Sequence, residues 1–187
     1  MRKNSAFRAS KSMKPPDKKE QFLLIYNKES DAIFRFCLLR VSDREKAIDL
    51  TQDTFMRFWD VLSQRGTTPI ENHRAFLFKI ARNLIIDWYR KKRSVSLESM
   101  LDDQDGSNEK LLLDNTTLDL ELTSEARYVL DKIKELDPIY QQVVYMRFVE
   151  DMKPKEIAEA LGESVNVVSV RITRGIKQLR EITGYEK

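Results

Sequence analysis

The sequence has one cysteine, Cys37, and one histidine, His73, in 187 residues. A lone cysteine closes no intramolecular disulfide, which fits a reducing compartment. Nor do the two residues make up a zinc site of the Cys/His type, and Cys37–His73 is the sole conceivable thiol–imidazole pair. Long apolar runs are missing as well. The longest, residues 22–26, is too short to cross a bilayer or to form a signal-peptide core. Glycine and proline occur five times each. Charge, in contrast, is plentiful: 34% of residues are Asp, Glu, Lys or Arg, beside 41% hydrophobics, a balance that suits a soluble, mostly helical chain and not a disordered one. No enzyme activity, metal or cofactor is expected, and the expected location is the cytoplasm without direct membrane insertion.

The net charge of +3 conceals a partition. Residues 1–19 carry +6, residues 20–93 carry +4, residues 94–122 carry −7 and residues 123–187 are neutral. Segments so different should not share one surface, so the chain divides into a basic tail, a domain, an acidic linker and a second domain. The tail, with Pro15 and Pro16 and little to bury, is expected to be disordered. The linker holds Asp102, Asp103, Asp105, Gly106, Ser107 and Asn108, poor material for helix or strand interiors. As a flexible coil it would span roughly 30 Å, and about 100 Å if taut.

In residues 20–93, Phe22, Ile25 and Tyr26 begin one helical stripe and Ile33, Phe34 and Cys37 another. Ser42 followed by Glu45 reads as a capping box opening the next helix, on which Phe55, Phe58, Trp59 and Leu62 share a face. A loop with Gly66 and Pro69 follows, and Asn72 caps a fourth helix with Leu77, Ile80, Ala81, Leu84 and Trp88 toward the core. Its other side offers Lys79, Arg82, Asn83, Asp87, Tyr89 and Arg90. Cations that neutralise phosphate, amides that bond base edges and rings that stack on bases suit a nucleic-acid strand. A solvated helix face with a basic end favoured by the helix dipole would look the same. Tyr89 taken singly reads more readily as a core or rim aromatic.

Residues 123–187 carry a sharper pattern. Pro154 suits the first turn of a helix, Ile157, Ala158 and Leu161 form its apolar stripe, and Gly162 supplies a tight turn. Ser164 then caps a helix with Val165, Val168, Ile172, Ile176 and Leu179 on one side. The opposite side presents Asn166, Val170, Thr173, Arg174 and Lys177, with Ser169 and Arg171 at its margins. Between Ser164 and Arg180 stand four basic residues and no acid. Two helices about a glycine turn, the second basic on one side, make a helix-turn-helix whose second helix enters the major groove. There Asn166 matches adenine, Arg174 guanine, and Val170 or the Thr173 methyl a thymine methyl.

Together the two halves resemble the extracytoplasmic-function (ECF) subgroup of bacterial RNA polymerase sigma factors. Ala47-Ile48-Asp49-Leu50-Thr51-Gln52-Asp53-Thr54-Phe55 is similar to that family's A-E-D-L-x-Q-E-x-F run, and Arg74-Ala75-Phe76-Leu77-Phe78-Lys79-Ile80-Ala81-Arg82-Asn83 to its R-x-W-L-x-x-I-A-x-N run. Asn83, Asp87 and Arg90 keep its N-x-x-x-D-x-x-R spacing. Leu136-Asp137-Pro138, Val143, Glu156-Ile157-Ala158, Leu161-Gly162, Ser164, Val168, Arg171 and Arg174 resemble its region 4.

The resemblance implies an all-α fold of two small helical domains, a region 2 bundle and a region 4 helix-turn-helix, on a flexible acidic linker. It implies that Asp49, Gln52, Asp53 and Phe55 dock on the clamp helices of core RNA polymerase. Lys79, Arg82, Asn83, Asp87, Tyr89 and Arg90, with the loop over 64–73, would melt the minus-ten element of promoter DNA and hold its displaced single strand. Ser164, Asn166, Val167, Ser169, Val170, Arg171, Thr173, Arg174 and Lys177 would read the minus-thirty-five element as duplex, and an anti-sigma factor is an implied partner. Ile48 stands where the family has an acid and Phe76 where it has Trp. Val167, Ser169 and Val170 replace its frequent Thr, Lys and Ser, so the preferred minus-thirty-five sequence does not transfer from relatives.

Two readings of other classes compete. A stand-alone helix-turn-helix regulator would bind duplex DNA alone, usually as a dimer on paired half-sites; it leaves the Asp49–Phe55 run without a purpose. A nucleic-acid-processing enzyme would need convergent carboxylates or a nucleophile with a base, and only Asp49 and Asp53 come near that.

Overall fold

A computed structural model describes residues 17–64, 69–97 and 124–184, all of it helix and short connections. The basic tail over 1–16 and the linker over 98–123 lie outside the described residues, as does the glycine of the 64–70 loop. The elements are α1 (Lys18–Val41), α2 (Arg44–Ser63), α3 (His73–Leu97), α4 (Ser124–Lys134), α5 (Pro138–Phe148), α6 (Pro154–Leu161) and α7 (Val165–Thr183).

The two stripes expected near residues 22 and 33 belong to one continuous helix. No glycine or proline interrupts α1, and its apolar positions stay in register over 24 residues. It begins at Lys18, so Lys18 and Lys19 join the first domain and not the tail. Ser42 caps nothing at its N-side. It adopts a left-handed conformation (φ 50°) that ends α1, its N–H donating to the Leu38 carbonyl. Asp43 takes the capping role, its carboxylate accepting from the Lys46 N–H at 3.0 Å. Asn72 caps α3 as expected, accepting from the Ala75 N–H at 3.0 Å. That helix runs on to Leu97, four residues past the expected boundary at 93.

Helices α1, α2 and α3 form a three-helix bundle around Ile33, Phe36, Leu39, Phe58, Leu77 and Phe78, all fully buried. Phe36 and Phe78 meet edge to face at 5.0 Å between ring centroids. Phe22, Tyr26, Phe55, Phe58 and Trp59 form an aromatic cluster where α1 crosses α2. In the second unit α5 lies against α7, and α4 and α6 close around them over Ile133, Val144, Met146, Met152 and Ile157. Buried Gln141 donates to the Lys134 and Leu136 carbonyls at 2.8 and 2.9 Å, supplying partners for the open end of α4. Pro154 opens α6, and Gly162 (φ 71°) ends it in the left-handed region that glycine occupies freely.

The two units touch. Helix α3 lies along α6, and the buried apolar cluster passes from one unit to the other through Phe36 and Tyr145. Between those rings sits the Arg40 guanidinium, 3.6 Å from the Phe36 centroid and 5.4 Å from that of Tyr145. Burial lowers its pKa to about 10, against the pull of its neighbours.

Candidate nucleic-acid interfaces

The helix-turn-helix is formed by α6, the Gly162 turn and α7. Ser164 caps α7, accepting from the Val167 N–H at 3.3 Å. At about 100° per residue, Val168, Ile172 and Gly175 fall on the inner side and are buried. Asn166, Val167, Ser169, Val170, Thr173, Arg174 and Lys177 are exposed on the other, as the sequence pattern requires. Val165, expected in the inner stripe, is instead 44% exposed. Arg171 is half-buried and paired with Glu163 at 3.2 Å, so it braces the turn more than it reaches outward. The unforeseen element is Gly175. A Cβ there would stand 2.6 Å from Val144 Cγ2 and 3.1 Å from Tyr140 Cβ, so its absence lets α7 seat on α5. A glycine inside a helix pattern was the available signal.

On α3, Lys79, Asn83 and Arg90 are exposed along one row with half-buried Asp87. Arg90 donates to Asp87 at 3.0 Å, which orders the end of that row. Tyr89 is off the row. It is half-buried against Trp88, and its hydroxyl donates to the Arg40 carbonyl of α1. It is a rim aromatic, unsuited to stacking on a base in this arrangement. Arg82 turns toward the second unit, where burial depresses its pKa and the Glu163 carboxylate acts the other way.

On α2, Asp49, Gln52 and Asp53 are exposed in a row that Met56, 65% exposed, extends by one turn. Lys46 pairs with Asp49 at 3.6 Å. Met56 was not singled out by sequence reasoning; its position seven residues after Asp49 is the signal that would have found it. Phe55 does not join the row. It is 3% exposed, with its ring 4.8 Å from that of Tyr26 and 6.3 Å from that of Phe22. Two residues past Asp53, about 200° around the helix, it turns inward and packs in the core. Among the described residues no cluster of His, Cys, Asp and Glu is arranged to hold a metal, and no helix is long and apolar enough to cross a membrane.

The bundle over residues 25–95 matches the family model "Sigma-70 region 2", and residues 126–179 match "Sigma-70, region 4". The chain belongs to the sigma-70 family. It is 29% identical over 168 residues to the ECF RNA polymerase sigma factor BldN of Streptomyces coelicolor, covering 87% of this chain and 60% of that protein. Against the ECF RNA polymerase sigma factor SigX of Bacillus subtilis the identity is 29% over 167 residues, covering 87% of this chain and 83% of SigX. The fold is similar to that of the sigma factor RpoE in its complex with the anti-sigma factor NepR from Bartonella quintana (TM-score 0.61, 20% identity, 89% of this chain and 99% of that one). It is similar also to CnrH in complex with the cytosolic domain of CnrY (TM-score 0.60, 22% identity, 90% and 91%). The region 2 match accounts for α1 to α3, which a stand-alone helix-turn-helix regulator would not require.

Proposed function

We propose that this sigma factor lends core RNA polymerase two DNA-reading surfaces and performs no chemistry of its own. The observation that carries this reading is the occurrence in one chain of two separate exposed polar faces, the Asn83–Asp87–Arg90 row on α3 and the Asn166–Val170–Arg174 face on α7. The acidic row on α2 stands apart from both. Asp49, Gln52 and Asp53, extended by Met56, dock on the polymerase clamp. Lys79, Asn83, Asp87 and Arg90 hold bases extruded from the minus-ten element, with Arg82 joining them when free of the second unit and Tyr89 bracing the helix from behind. Unstacking costs a few kcal/mol per step, and contacts to the captured strand offset it.

The exposed side of α7 reads the minus-thirty-five duplex. Ser164 orders the first turn, Asn166 and Arg174 bond base edges, and Val167, Val170 and Thr173 meet methyl groups, with Ser169 beside them. Lys177 neutralises phosphate. Arg171 acts through Glu163 on the turn. Residues 18–97 and 123–187 are the two working domains, joined by an acidic linker whose charge suits a positively lined channel. The protein works in the cytoplasm, where its polymerase is, and an anti-sigma factor is its natural antagonist; RpoE and CnrH, of similar fold, were each solved bound to another protein.

Run-off transcription with purified core polymerase and a library of genomic fragments tests the reading. Discrete transcripts that need both polymerase and this chain are expected. Identical initiation with and without the chain would refute it.

A further inference from the structure

The first turn of α1 reaches both ends of the connection between α2 and α3. Helix α2 has no basic residue in its own last turn, so it lacks the cation that a helix C-terminus favours. Lys18 supplies one from α1: its ammonium donates to the Ser63 carbonyl at 3.1 Å and to the Gln64 carbonyl at 3.0 Å. Three residues on, and so on the same side of α1, the Gln21 side-chain amide meets His73 Nε2 at 3.2 Å. His73 is the first residue of α3, and its ring meets that of Phe58 edge to face at 5.9 Å. Burial lowers the His73 pKa, which favours a neutral ring at this contact. Phe22, next to Gln21, packs on Phe58 and Trp59 with ring centroids 6.1 and 5.3 Å away, which seats the start of α1 on the end of α2.

The two polar ties lie outside the core. Lys18 is exposed and Gln21 half-buried. What they fix is the place where each foot of the 64–73 loop leaves its helix. Eight residues, 65–72, join Gln64 to His73. A connection held at both ends has fewer arrangements to lose when it closes on a ligand. Small displacements of such a contact are costly to its effect.

We infer that Lys18 and Gln21 are positioning residues for promoter melting: the first turn of α1 is a bracket that holds both feet of the 64–73 loop where the loop takes hold of a base extruded from the minus-ten element. The inference rests on the proposed sigma-factor function and adds two residues that act without touching DNA. Lys18 reads in the sequence as part of the basic tail, yet its ammonium is engaged by carbonyls of α2.

The test uses holoenzyme assembled from core polymerase and the full chain, on a promoter found by run-off transcription of the genomic library. The probe is the single-stranded minus-ten oligonucleotide, either intact or with each nucleotide in turn made abasic. For the wild type, removal of the captured base weakens binding. Lys18→Met and Gln21→Leu are each expected to lower the intact-to-abasic affinity ratio about two- to fivefold, the range of a single exposed charged contact. Core polymerase affinity and binding of the abasic oligonucleotide should not change. Lys18→Arg keeps a donor for the two carbonyls and Gln21→Glu a polar partner for the ring, so both should restore the ratio. Circular dichroism and an unchanged melting temperature show that each variant is folded. An unchanged ratio in either Lys18→Met or Gln21→Leu overturns the bracket, which needs both feet. Equal weakening of intact and abasic oligonucleotides overturns it too, because the residues would then contact phosphate or support the fold in general. If wild-type holoenzyme discriminates at no position, the loop captures no base and the inference falls with that reading. If no holoenzyme forms, the sigma-factor reading itself fails; both of these failures are seen in the wild type, before any variant is made.

Discussion

Gly175 of α7 lies so close to Val144 of α5 that a methyl group at position 175 would stand 2.6 Å from Val144 Cγ2. Helix α7 is therefore held by a close contact at its middle. Gly175→Ala gains helix propensity of about 1 kcal/mol but overpacks the contact by roughly 1–3 kcal/mol. A net loss of about 1 kcal/mol is expected in urea denaturation, with weaker binding to minus-thirty-five duplex because α7 must tilt. Unchanged stability and DNA affinity would show that α5 yields freely.

Asn83 is exposed and supports no part of the core. Asn83→Ala should leave stability within about 0.5 kcal/mol and polymerase binding unaltered while impairing open-complex formation. Permanganate reactivity of melted thymines reads this directly, and wild-type reactivity in the variant would contradict the assignment.

Arg174 faces outward from α7, on the side opposite Val168 and Ile172. Arg174→Ala is expected to cost ~1–3 kcal/mol at a single base pair and to relax preference there. Competition binding across all single-position variants of the minus-thirty-five element measures it; a uniform loss over every sequence would reassign Arg174 to phosphate contact.

Phe55 and Asp53 are two residues apart on α2 with opposite environments, 3% exposed in one case and open to solvent in the other. Phe55→Ala should destabilise the bundle by about 3–5 kcal/mol. Asp53→Ala should leave the melting curve in place and weaken capture of core polymerase. Thermal denaturation and a polymerase pull-down on both variants separate the roles, and a stable Phe55→Ala that fails only in docking would restore Phe55 to the interface.

Burial pushes the Cys37 thiol up from 9.0 to about 12, with Thr51 and Arg40 acting against it. In the unfolded chain the thiol ionises near its ordinary value, so between pH 9 and about 12 the unfolded state holds fewer protons than the native one. Stability from this group is complete below pH 9 and is lost as pH rises. Cys37→Ala should flatten the alkaline fall of stability relative to wild type, measured by denaturant midpoints from pH 8 to 11. Parallel curves would show that Cys37 does not titrate on unfolding.

Much of the molecule was legible before any coordinates. Helical periodicity depends on spacing alone, so the inner faces of α3 and α7, the Asn72 and Ser164 caps and the Gly162 turn followed from residue order. The exposed DNA-suited rows followed by difference. Local competition was harder to read: Ser42 and Asp43 are both good capping residues, and only the left-handed turn at Ser42 decides between them.

Residue order by itself determined that the chain is helical, which side of most helices is apolar and how charge is divided along the chain, because periodicity depends on neighbours three and four positions away. Tertiary structure alone decided that Tyr89 bonds α1, that Gly175 admits α5 and that Glu150 sits between Arg35 and Arg74. Those contacts join residues 31 to 115 positions apart, and nothing in a local pattern of charge or hydrophobicity specifies which distant partner completes them.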